Sequence, residues 1–240
     1  MSDLPWLPRH DLLNEITHLT FDCYGTLIDW EQGILNATQP VLARSNFIVA
    51  PEIILQSYVR HEARLEAQSW MPYREILREV MIAMASDFGV RLKEAEQNSL
   101  VDSLPRWQPF PDTVDALKRL STRFRLVILS NIDDTLFLQT QRHLKVEFAE
   151  IITAEQVKSY KPAHAHFNEA LRRLDVSAHQ ILHVAQSLYH DHVPASRFGF
   201  RTAWINRPSL LSGTGLSPNA EVKPDLVFRD LASLAAQLLR

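Results

Sequence analysis

Three short apolar runs in this chain each stop against a polar string, and that repeated edge constrains the fold more than any other feature. Ile16 to Phe21 ends at Asp22, Cys23, Tyr24, Gly25 and Thr26; Phe124 to Leu129 ends at Ser130 and Asn131; Ile181 to Ala185 ends at Gln186 and Ser187. Their β-branched and aromatic content reads as strand, and the lack of polar alternation as strand buried on both faces. Helical periodicities lie between them: Asp112 to Leu120 with Val114, Leu117 and Leu120 inward, Thr135 to Leu144, and His164 to Leu174. Strand alternating with helix predicts the α/β class, a doubly wound parallel sheet with helices on both faces. Ligands of such sheets bind outside the carboxyl ends of the strands, so the polar strand ends are the candidate site.

From about Glu31 to Leu104 the alternation breaks. Only helical patterns occur there: Glu52 to Gln68, then Tyr73 to Phe88 with Tyr73, Ile76, Leu77, Val80, Met81, Met84 and Phe88 on one stripe, then Leu92 to Leu104. This predicts a helical insert, residues 31–105, within a core formed by 1–30 and 106–240. Pro105, Pro109 and Pro111 mark the return to the core, and Ser209 to Pro224 reads as a loop before a last strand at Leu226 to Phe228.

With 240 residues, 46% apolar and 22% charged, the chain can bury a substantial core, which excludes disordered and collagen-like architectures. A net charge of −3 without a basic stripe argues against a nucleic-acid partner. The single cysteine forms no internal disulfide and offers no thiolate set for zinc, pointing to a reducing compartment. Met1 to His10 carries no apolar run, and no later stretch approaches ~18 uninterrupted apolar residues, so a soluble, cytoplasmic protein without a membrane partner is expected.

A carboxylate at a strand end before a Gly-Thr turn can project into the crevice while backbone N–H groups face a bound anion. Asp22 is so placed, although Asp before Gly is also ordinary turn chemistry. Asp22-Cys23-Tyr24-Gly25-Thr26, Ser130-Asn131, Lys161-Pro162 and Ala185-Gln186-Ser187 through Asp191 resemble, in order, the four motifs of the haloacid dehalogenase superfamily. The resemblance covers nearly the whole chain and implies a Rossmann-like core with a helical cap inserted after the first motif.

Phosphatases of that superfamily usually carry a general-acid Asp two residues after the nucleophile and a Gly-Asp pair in motif four that holds magnesium. Here those positions are Tyr24 and Ala185-Gln186. A phosphate ester brings roughly two negative charges and an alkoxide leaving group, which call for a metal and an acid. Halide displacement from a carbon next to a carboxylate needs neither. Asp22-Cys23-Tyr24-Gly25-Thr26, Leu27-Ile28-Asp29-Trp30 and Trp204-Ile205-Asn206-Arg207 are similar to the L-2-haloacid dehalogenases, the metal-independent branch. That likeness implies hydrolysis of short 2-halo acids with no cofactor and no metal: Asp22 attacks carbon and water cleaves the aspartyl ester.

By the same resemblance, Lys161 steadies Asp22, and Thr26, Ser130 and Asn131 bond the nucleophile or the substrate carboxylate. Tyr24 and Ser187 join the substrate site, and Asp191 activates water or braces Lys161. In this family an arginine of the first cap helices faces the leaving group; Arg60 is the candidate, with Arg64 one turn later as competitor. Trp70, Met71 and Tyr73 line the pocket or the core. Related dehalogenases are often homodimers, a state no feature here establishes.

The chain also departs from that branch. Phe167 stands where a tyrosine is usual, and the segment Ala185 to Asp191 is one residue longer. His183, His190 and His192 lie in or beside the site with imidazoles that titrate near neutral pH, yet His164, His166, His190 and His192 match no recognised metal spacing and read as partly exposed helix histidines. Cys23 alternates away from Asp22 and is expected to be a buried small hydrophobe. Two rivals stay open: a phosphatase holding magnesium with Asp191 and Asp29, and a non-catalytic binding protein of the same fold.

Overall fold

The computed structural model describes residues 13–45, 48–211 and 222–240. Its centre is one sheet of six parallel strands, β1 (His18–Phe21), β2 (Arg125–Ser130), β3 (Glu150–Thr153), β4 (Ile181–Ala185), β5 (Arg201–Ile205) and β6 (Leu226–Phe228). They lie in the order β3-β2-β1-β4-β5-β6. Each of the three apolar runs that stop at a polar string is a strand, and β1 lies between the other two, with Phe21 beside Ile128 and Val184. This register brings all three polar ends to one edge of the sheet. Order reverses at β1, so Asp22 sits at the topological switch point where open α/β sheets bind ligands.

Strands β3 and β5 were not predicted: Glu150–Thr153 is four residues long and polar at both ends, and Arg201–Ile205 carries Arg201 and Thr202. Too few apolar residues in a row announce them, and only pairing with β2 and β4 makes them strands.

Between β1 and β2 the described chain is helical: α1 (Trp30–Leu42), α2 (Pro51–Glu66), α3 (Tyr73–Asp87) and the one-turn α4 (Ser99–Ser103). Every residue of the predicted apolar stripe from Tyr73 to Phe88 is buried. The predicted helix Leu92 to Leu104 is instead two 3-10 turns around α4, as expected for a short, polar segment with little apolar face. The two connections to the sheet run side by side: Asp29 N–H donates to the Gln108 carbonyl at 2.9 Å, and Ile28 pairs antiparallel with Pro109.

Around the sheet pack α5 (Thr113–Leu120), α6 (Asp134–Leu144), α7 (Ala165–Leu174), a short helix Val193–Arg197 and α8 (Leu231–Leu238). One core cluster joins β1, α1 to α5 and α8; a smaller one, around Leu129, Phe167 and Phe200, covers the other face. Cys23 is fully buried in the first. The cap is clamped from below by Asp133, just past β2. Its carboxylate accepts the Tyr73 and Arg74 backbone N–H groups at 2.7 and 2.9 Å, so a core residue satisfies the open N-terminus of α3. Among the described residues no helix is long and apolar enough to cross a membrane. Met1 to His10 and most of the Ser209 to Pro224 segment lie outside the described residues.

Candidate active site

Asp22 leaves β1 with its side chain 13% exposed. Thr26 closes the turn beneath it: the Thr26 hydroxyl donates to Asp22 Oδ2 at 2.7 Å and accepts the Gln186 N–H at 2.9 Å. Gly25, at φ +91°, allows this turn, because L side chains rarely adopt that conformation. Lys161 arrives from the loop after β3 and is 2% exposed. Its Nζ donates to Asp22 Oδ1 at 2.9 Å, to Asp191 Oδ1 at 2.6 Å and to the Leu129 carbonyl at 2.8 Å. Asp191, 1% exposed, also accepts His183 Nε2 at 3.0 Å, while His183 Nδ1 meets the Thr20 hydroxyl at 2.8 Å. Four strand ends thus hold one ammonium between two carboxylates.

Burial alone would strip the charge from Lys161, but Asp191 and Asp22 more than offset it and hold its pKa above the ordinary lysine value. Asp191 is likewise penalised by burial, yet Lys161 and the His183 contact keep its carboxyl below the usual range. Asp22 goes the other way: burial raises its pKa, the nearby Asp191 adds to this, and Lys161 and Thr26 offset only part. The two carboxyl groups are thus pushed in opposite directions, Asp22 toward its protonated form and Asp191 toward its ionised form.

Asn131 ties the site together. Its Oδ1 accepts the Lys161 N–H at 2.7 Å and its Nδ2 donates to the Lys161 carbonyl at 3.2 Å, with Glu66 of the cap at 3.4 and 3.5 Å. Ser130 is 1% exposed and its Oγ has no hydrogen-bond partner among the described residues, leaving a buried donor unspent at the same strand end. Ser187 caps the following turn by accepting His190 N–H at 3.1 Å. Trp204 and Arg207 buttress the site from beneath: Trp204 Nε1 donates to the Gln186 carbonyl at 2.8 Å and Arg207 Nε to the Thr26 carbonyl at 2.9 Å.

The structure does not gather every expected residue. Arg60, expected at the leaving group, points outward instead: its side chain is 60% exposed and its guanidinium pairs with Asp87 at 2.6 Å. Arg64 is exposed as well. The Tyr24 hydroxyl is bonded to Thr140 at 2.8 Å, and its ring stands edge-on to Trp107. Phe167 packs edge-on against His183. The histidines differ from expectation too. His166 and His192 are fully buried, against the carbonyls of Ser130 and Ala185, and burial lowers them to about 3 and about 4. His190 is half-buried and lowered by desolvation, and of these four His164 alone is exposed.

Sequence reasoning missed Glu62 and Glu66. The carboxylate of Glu62 accepts the Tyr58 hydroxyl at 2.9 Å and also the Tyr73 hydroxyl, while Glu66 faces Asn131. Burial raises the pKa of both; for Glu66 the neighbouring Glu62 adds to it and the rise is large. A signal existed: Tyr58, Glu62 and Glu66 follow one another at i+4 on the apolar side of α2, where a solvated acid does not belong.

The magnesium used by phosphatases of this architecture does not suit these residues. Lys161 Nζ already occupies the gap between Asp22 and Asp191, and residue 186 supplies an amide where a third carboxylate is needed.

A carboxylate at the switch point of a doubly wound sheet, paired with a buried lysine beneath a helical cap, defines a capped hydrolase. The haloacid dehalogenase-like hydrolase family model matches residues 16–188, and the chain belongs to that family. It is 25% identical over 231 residues to an (S)-2-haloacid dehalogenase of Pseudomonas putida, covering 95% of this chain and 98% of that one. To the (S)-2-haloacid dehalogenase of Pseudomonas sp. strain YL it is 26% identical over 215 residues, covering 88% and 91%. The solved L-2-haloacid dehalogenase from Xanthobacter autotrophicus with chloropropionic acid covalently bound superposes with a TM-score of 0.78 at 19% identity, covering 93% and 98%, a likeness of fold.

Proposed function

We propose that this chain is a hydrolytic dehalogenase of short 2-haloalkanoic acids, using Asp22 as nucleophile. The observation that carries the reading is Lys161 buried between Asp22 and Asp191, together with the absence of carboxylates at positions 24 and 186. An Asp22 oxygen attacks the carbon bearing the halogen; the new C–O bond forms as the carbon–halogen bond breaks, and halide leaves with the bonding pair. Lys161 keeps the attacking carboxylate ionised and correctly aimed. Water then adds to the carbonyl carbon of the aspartyl ester, giving a proton to Asp191. Collapse expels the 2-hydroxy acid oxygen, which takes that proton, and leaves Asp22 as the carboxylic acid, whose remaining proton passes to solvent to restore the carboxylate. The (S)-2-haloacid dehalogenase relatives support this reading through their near-complete overlap with the chain. Ser130, with its unspent hydroxyl, serves the substrate carboxylate.

The test is halide release from L-2-chloropropionate, chloroacetate and fluoroacetate in EDTA, with Asp22→Asn alongside. Release that survives chelation and vanishes in the variant is the expected result. Magnesium-dependent phosphate release from a generic ester, with no halide from any acid, would overturn it in favour of a phosphatase.

A further inference from the structure

His183 is a polar side chain in an apolar place. It stands on β4, fully buried, with its ring edge-on to Phe167 at 5.4 Å and beside His192 at 6.4 Å between centroids. Phe167 belongs to the smaller core cluster with Val127, Leu129 and Phe200. An apolar side chain would fill that position without losing hydration, so the imidazole carries a cost that its hydrogen bonds must offset. Strand register sets the first of these: Thr20 of β1 lies opposite His183, and the Thr20 hydroxyl meets Nδ1 at 2.8 Å. That leaves Nε2 for Asp191 Oδ1, 3.0 Å away. Asp191 is held toward its ionised form, which only accepts, so Nε2 carries the proton and Nδ1 accepts from Thr20. Lys161 Nζ meets the same Asp191 oxygen at 2.6 Å. Two donors thus converge on Oδ1, and among the described residues none reaches Oδ2. The lysine by itself does not fix that carboxylate, because its flexible ammonium is shared with Asp22 and the Leu129 carbonyl. The rigid imidazole, tied at both nitrogens, does.

We infer that His183, anchored by Thr20, is a positioning residue for ester hydrolysis: it pins Asp191 by Oδ1 and leaves Oδ2 to take the proton of the attacking water. The inference rests on the dehalogenase reading for the reaction itself. Halide expulsion uses Asp22 and Lys161, neither of which bonds to His183, so the second step alone depends on the imidazole. As water adds to the ester carbonyl carbon, its proton passes to Oδ2 and then to the departing oxygen of the 2-hydroxy acid, while His183 keeps its own proton throughout. A carboxylate free to turn about its bonds would present Oδ2 to that water only part of the time.

A spectroscopic arm and a kinetic arm decide the proposal. Without substrate, long-range proton–nitrogen spectra of the imidazoles at pH 7.5, assigned with His183→Gln, should show His183 protonated on Nε2, with the Nδ1 resonance displaced in Thr20→Val. A bare Nε2 overturns the proposal, since no donor would then face Asp191. With L-2-chloropropionate in a single turnover, the halide burst reports the first step and decay of the covalent ester, followed by mass spectrometry, reports the second. His183→Phe fits the apolar surroundings and should slow ester decay by roughly tenfold to a hundredfold, with the halide burst changed less than about threefold, so that ester accumulates. His183→Gln, whose amide can donate to Oδ1, should restore most of the second step. Ester decay unchanged in His183→Phe, or both steps slowed alike, overturns the proposal. Neither halide nor ester from any acid in the wild type removes the dehalogenase reading instead, and the spectra then decide the His183 contact on their own.

Discussion

Lys161 is the residue on which the site's electrostatics turn. Removing it leaves Asp22 and Asp191 as two buried acids facing one another without a cation, and breaking a buried pair in this way costs about 3–5 kcal/mol. Lys161→Met should therefore lower stability by about that amount in denaturant titration. It should also cut kcat/KM by two or more orders of magnitude, because an unsupported Asp22 holds its proton and loses its nucleophilicity. Equal activity in wild type and Lys161→Met would remove the lysine from the mechanism. Asp22, Thr26, Lys161 and Asp191 were legible in the sequence because each lies at a strand end or in a motif tied to one. Arg60 was misjudged and Glu66 overlooked for a shared reason: on a helix, one residue of slip turns a side chain by about 100°, and periodicity alone does not say which face of α2 looks down on the sheet.

At the scale of elements, two of the contacts that join the cap to the core have distinct signatures when lost. Asp133 accepts two N–H groups at the start of α3, so Asp133→Ala should cost roughly 1–2 kcal/mol and loosen the cap. The readouts are the melting temperature and cleavage by protease within 31–105; a cap as resistant as the wild type would contradict that role. Gly33 of α1 lies flat on Trp107, where an added Cβ would come within 2.4 Å of the indole. Gly33→Ala should destabilise by about 1–3 kcal/mol through overpacking, visible as a lowered denaturation midpoint. Helices α3, α5, α6 and α7 were legible within a residue or two because their apolar stripes are strong. Strand β3 was not, since four residues with a polar residue at each end become a strand only through the neighbour they pair with.

Across the whole molecule, buried ionisable groups set opposing pH dependences. His166 and His192 are neutral when folded, with pKa values near about 3 and about 4, so below about 6.5 the unfolded chain takes up protons that the native state refuses. Stability from this source falls as pH drops from about 6.5 toward 4. Glu62 and Glu66 are raised, so the native state takes up their protons before the unfolded chain does, and stability from this source rises as pH falls toward the ordinary glutamate range. Replacing both with glutamine deletes the second effect. The double variant should melt higher than the wild type at pH 7.5 and lose stability more steeply between pH 6.5 and 5; a parallel pair of curves would show that the acids are not desolvated. What the sequence by itself determined was the α/β alternation, the helical insertion and the strand-end residues, because burial patterns of strands and stripes are local and periodic. Only the tertiary structure decided that β1 lies between β2 and β4, that Lys161 bridges two acids 30 and 139 positions away, and that α2 turns Glu66 toward Asn131 while Arg60 points outward to Asp87. Those outcomes depend on pairing and packing between distant segments, which no window along the chain contains.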